Sequence, residues 1–136
     1  MTKTAEELYP VDPDSGWYTP CDYTPMIESF GEVLLNVEER SYQGSTWALY
    51  VDGGRIGYLE FGWGSCGGCD ALQACSSPAE VQRLMDELRQ SIKWFPSKVA
   101  ALEWFNTHDW EGDWSWHEKD CRQFVAAARV LLGAGQ

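Results

Sequence analysis

The sequence predicts an α+β fold: a three-stranded antiparallel meander packed against about three helices, with an extended acidic N-terminal arm. Three observations carry this reading. Apolar residues alternate with a period of two over residues 32–39, and the glycine pair Gly53-Gly54 separates two further runs rich in aromatic and branched residues. Beyond residue 77 the apolar spacing changes to three and four, the period of a helix. With 136 residues, of which 44% are hydrophobic, the chain is long enough to bury a sizeable core.

Residues 1–31 are read as the arm and residues 32–136 as a single α+β domain. The arm holds Pro10, Pro13, Pro20 and Pro25, a density that argues against regular helix and central strand. Trp17, Tyr18 and Tyr23 are the side chains that would pin it to the core, and Cys21 is read as a small apolar residue. Val33, Leu35 and Val37 give the first strand, over 32–39, and 41–44 reads as a turn. Residues 46–51 give a second strand rich in aromatic and branched side chains. Asp52-Gly53-Gly54-Arg55 predicts a tight hairpin into a third strand over 56–63.

The helices follow. Ser77-Pro78-Ala79-Glu80 is a capping-box sequence with proline at the first helical position, and Val81, Leu84, Met85 and Leu88 continue one apolar face to about residue 91. Residues 92–95 either finish that helix or form a short strand before Pro96. Ser97 caps a second helix over 98–106. Ser115-Trp116-His117-Glu118 opens a last helix to about residue 132, where Phe124, Val125 and Ala128 mark the buried stripe and Gly133 the stop.

The formal net charge is −11, and residues 1–40 hold nine acidic side chains against Lys3 and Arg40. Phosphate contacts need Lys or Arg, and no basic patch is visible, so direct nucleic-acid binding is not expected. A basic partner protein is the complementary expectation. No apolar core follows Lys3 and no apolar run is long enough to span a bilayer, which predicts neither a signal peptide nor a membrane span. The expected location is the cytoplasm, where thiols stay reduced.

Two stretches carry candidate chemistry. The first is Cys66-Gly67-Gly68-Cys69, followed by Cys75, on a glycine-rich bend. Two thiols with a two-residue gap suit zinc, which prefers four thiolate or imidazole ligands in a tetrahedron. The expected structural zinc site is Cys66, Cys69, Cys75 and His117, with His108 and Cys121 as alternative fourth ligands. A second reading is a thiol–disulfide oxidoreductase using Cys66 and Cys69, because a thiol at a helix N-terminus is activated. A third is three reduced cysteines packed under a turn. The other stretch, residues 109–116, alternates acidic and aromatic side chains. It is expected to bind a partner protein through Trp110, Glu111, Asp113 and Trp114, aromatic groups anchoring and charges steering.

The segments Trp63-Gly64-Ser65-Cys66-Gly67-Gly68-Cys69-Asp70-Ala71-Leu72-Gln73-Ala74-Cys75 and Asp109-Trp110-Glu111-Gly112-Asp113-Trp114-Ser115-Trp116-His117 together resemble those of small proteins encoded by bacteriophages and prophages. The resemblance spans about residues 41–125 and supplies no catalytic residue. It implies a phage setting, in which short acidic proteins bind and disable host machinery. The resulting expectation is a non-enzymatic binding protein, an effector or inhibitor of a host protein in the host cytoplasm. A virion or assembly component is the other non-enzymatic alternative.

Overall fold

The fold was read from a computed structural model that describes residues 4–11, 14, 18, 20, 22–38, 44–63, 71–110 and 118–133. Trp17, Cys21, the turn before Gly44, the Cys66–Cys69 bend and the stretch from Glu111 to His117 lie outside the described residues. The element order is α1 (Ala5–Leu8), α2 (Thr24–Ser29), β1 (Glu32–Glu38), β2 (Gly44–Asp52), β3 (Arg55–Trp63), α3 (Pro78–Ser91), β4 (Lys93–Phe95), α4 (Lys98–Thr107) and α5 (Glu118–Gly133). The class is α+β, with a four-stranded antiparallel sheet in the order β1-β2-β3-β4.

The fourth strand amends the expected count of three. Residues 93–95 leave the helix and pair with β3, placing Trp94 opposite Gly57 and Phe95 opposite Ile56. Gly57 is what lets β4 approach. A Cβ there would stand 2.9 Å from both Ile92 Cγ2 and the Trp94 ring.

Helices cover both faces of the sheet. Side chains of successive strand residues point to opposite faces. Ala48, Tyr50 and Leu59 pack with residues of α1, α2 and α3, whereas Trp47, Leu49, Ile56 and Tyr58 pack with residues of α4 and α5. Every residue of β2 from Thr46 to Tyr50 is consequently buried. Burial on both faces explains why β2 reads as an apolar run rather than a clean alternation.

The N-terminal segment also departs from the expected extended arm, because it forms two short helices within one of the two cores. Thr4 and Glu7 make a reciprocal capping box for α1. Pro25 falls in the first turn of α2, where a missing N–H breaks no helical bond. Ala5, Tyr9, Tyr23, Met26, Ile27 and Phe30 are all buried, and Tyr18 packs against them. The Tyr9 hydroxyl donates to the Asp22 carbonyl at 2.6 Å and accepts from the Met26 N–H at 3.1 Å. The Tyr50 phenol, whose pKa is raised by burial, donates to the Ile27 carbonyl at 2.8 Å.

The start of α3 is as the sequence indicates, with one shift. Ser77 Oγ accepts from the Glu80 N–H, but the Glu80 carboxylate reaches Ser76, accepting from both its N–H and its hydroxyl. Those bonds hold the Glu80 carboxyl below its ordinary pKa.

At the β2–β3 hairpin, positive φ falls on Gly53 (62°) and not on Gly54, the pattern of a type II′ turn. Gly53→Ala is therefore expected to cost about 1–2 kcal/mol, the penalty of placing a Cβ in the left-handed region. Gly54→Ala, with nothing within 4 Å of the added atom, should stay within about 0.5 kcal/mol of the parent. Urea unfolding of the two variants separates them, and equal losses would contradict the assignment.

Candidate functional site

The chemistry-bearing residues of the described chain gather where α4 ends against α5. An α-helix leaves its last four carbonyls without intrahelical partners. In α4 the Trp104 carbonyl accepts from the His108 N–H at 2.8 Å. The Phe105 carbonyl takes two donors, Trp110 Nε1 at 2.8 Å and Arg129 Nη2 at 3.0 Å. One carbonyl thus joins α4, the turn after it and α5.

Aromatic packing fixes the same corner. The His108 ring stacks on Trp104 with centroids 4.3 Å apart and meets Trp110 edge-on at 4.6 Å. Trp110 stacks on Phe105 at 5.2 Å and stands edge-on to Tyr58 at 6.0 Å. Offset stacks and edge contacts of this kind add to the area the rings bury. Trp110 is left 4% exposed.

Outside this aromatic wall lies a depression of about 440 Å³ lined by His108, Asp109, Trp110, Arg122, Val125, Ala126 and Arg129. Arg122, Ala126 and Arg129 recur at spacings of four and three along α5, which puts them on one helix face. The small side chain of Ala126 between the two arginines leaves the hollow open.

The two helical layers differ in charge. On the α1–α3 side, Glu6, Glu7, Asp22, Glu28, Glu80 and Glu87 are exposed; the exposed bases there among the described residues are Arg83 and Arg55, and Arg55 lies over the Trp94 ring and pairs with Asp52. Arg89 lies 3.7 Å from Asp86 and over the Phe30 ring, and among the described residues its buried Nη2 makes no hydrogen bond. On the α4–α5 side the described residues include the bases Lys93, Lys98, Lys119, Arg122 and Arg129 and the acids Glu103, Asp109 and Asp120.

Of the expected zinc ligands, Cys66, Cys69 and His117 lie outside the described residues. Cys75 is buried in the α1–α3 core, and its thiol donates to the Ala71 carbonyl at 3.3 Å. Cys121 is buried in the α4–α5 core, and His108 stacks against aromatic residues of that core. The sheet lies between the two cores, so Cys75 is not brought together with either alternative ligand. Among the described residues, no three His, Cys, Asp or Glu side chains form a group that could hold a metal ion.

Of the expected partner-binding residues, Glu111, Asp113 and Trp114 lie outside the described residues. Trp110 is a core residue rather than a surface anchor, because its ring and its N–H are both used internally. Sequence reading missed Arg122 and Arg129. Their only trace is the basic spacing on the polar side of the last helix, which a solvated surface shows equally well. No helix among the described residues is long and apolar enough to cross a membrane. Comparison of the chain with protein-family models, curated proteins and solved structures finds no match.

Proposed function

We propose that this chain is a non-enzymatic binding protein that engages a basic surface of a partner protein through the exposed face of α1–α3. The observation that carries the reading is the distribution of charge among the described residues: exposed carboxylates outnumber exposed bases on that layer, whereas acids and bases are mixed on the α4–α5 layer. A surface of one sign steers a partner of the opposite sign and disfavours partners of its own sign. It also fits a host protein whose basic face ordinarily holds nucleic acid, the setting that the phage resemblance implies.

The test is a variant with Glu6→Gln, Glu28→Gln and Glu87→Gln. None of these three carboxylates makes a helix cap, so the fold should be retained. Exposed charges contribute about 0.2–1 kcal/mol each. The triple variant should therefore bind a captured basic partner about tenfold more weakly, mainly through slower association at low salt. Raising the salt should erase the difference between variant and parent. Identical association rates at low salt would move the contact surface away from α1–α3.

A further inference from the structure

The geometry points to the depression between α5 and the C-terminal turn of α4 as a binding site for a small organic oxyanion, a phosphate monoester or carboxylate on a compact body. Among the described residues, two guanidinium groups, Arg122 and Arg129, and the His108 imidazole line it together with the Asp109 carboxylate. Guanidinium N–H pairs match the oxygens of phosphate and carboxylate, and two of them at the rim of one hollow offer such a group more than one anchor.

Two of the lining side chains, Arg129 and His108, are held before any ligand arrives. Arg129 commits one Nη2–H to the Phe105 carbonyl, which orients a planar group that carries five donors in all. The His108 ring is clamped between Trp104 and Trp110, and its backbone N–H is tied to Trp104. Donors fixed in this way lose little rotamer freedom on binding.

The shape sets the ligand's size. A hollow of about 440 Å³ falls in the range of small-molecule pockets, about 300–1,000 Å³, and is larger than an inorganic anion needs. Val125 and Ala126 supply an apolar floor for the organic body. Asp109 supplies an acceptor for a hydroxyl or amine. The site lies on the layer opposite the acidic face and does not depend on the basic-partner reading, so each can fail alone.

The test is an NMR titration of the full chain with phenyl phosphate, benzoate and inorganic phosphate, following the Trp110 indole N–H resonance. Saturable shifts with phenyl phosphate or benzoate are expected, and the tighter of the two identifies the head group. Arg122→Gln and Arg129→Gln should each weaken binding at least about tenfold, the value of a charge-assisted hydrogen bond. Ala126→Leu, which keeps every charge and fills the hollow, should abolish it. Arg122 and Ala126 are exposed on α5, so two of the three variants remain informative if Arg129→Gln loses stability. Three outcomes would each overturn the proposal: no saturable shift with either organic probe, unchanged affinity in Arg122→Gln and Ala126→Leu, or inorganic phosphate binding as tightly as phenyl phosphate.

Discussion

Trp110→Ala should lower the unfolding free energy by about 3–5 kcal/mol, the usual cost of deleting a large buried ring. The indole is 4% exposed and stacks on Phe105, with Tyr58, Trp104 and His108 edge-on around it. Its removal opens a cavity among rings that cannot collapse without losing their own contacts. Trp110→Phe separates the two parts of the effect. It keeps most of the apolar area and loses the N–H, but the Phe105 carbonyl still accepts from Arg129. That variant should therefore lose about 1–2 kcal/mol. Urea unfolding monitored by far-UV circular dichroism measures both. A loss below about 1 kcal/mol in Trp110→Ala would show that the ring belongs to a surface, as the sequence pattern suggests.

Removing residues 1–30 should abolish cooperative folding. The segment contributes Ala5, Tyr9, Tyr23, Met26, Ile27 and Phe30 to the core on one face of the sheet. Full burial of a large apolar side chain is worth about 1.5–3 kcal/mol. Five such losses together are comparable with the roughly 5–15 kcal/mol by which a typical domain is stable. The milder Tyr23→Phe tests the same docking without truncation. The Tyr23 hydroxyl accepts from the buried Leu72 N–H at 3.1 Å, and losing it should cost about 1–3 kcal/mol for the stranded donor. A sharp unfolding transition in the truncated chain, with the midpoint of the parent, would restore the picture of a dispensable arm.

Where local chemistry decides the structure, the sequence was a good guide. The hairpin follows from two glycines between apolar runs, and the start of α3 from a serine, a proline and a glutamate in order. Features decided by tertiary packing were not legible. Three residues of β4 are too few to show a period, so the sequence leaves a short strand and a helix end both open over 92–95, and it is the room left by Gly57 that decides for the strand. The helices of the N-terminal segment were hidden because proline count outweighed proline position. Trp110 stands among acids in a pattern that resembles a surface, and only the rings brought in by β3, α4 and α5 make it core. The oxyanion pocket was hidden for a related reason: its arginines are ordinary surface residues of α5 until the end of α4 is placed beside them. The Cys66-x-x-Cys69 pair falls outside the described residues, so the zinc expectation rests on spacing alone.

The doubly accepted carbonyl of Phe105 bears on how this half of the molecule assembles. Trp110 and Arg129 are far apart in sequence, yet they serve one oxygen in the last turn of α4. Trp110 serves that oxygen from the turn itself, and Arg129 adds a second donor only where α5 lies against the end of α4. A bond that spans the two helices is expected to couple their opening, so that amide exchange in the last turn of α4 follows that of α5 around Arg129.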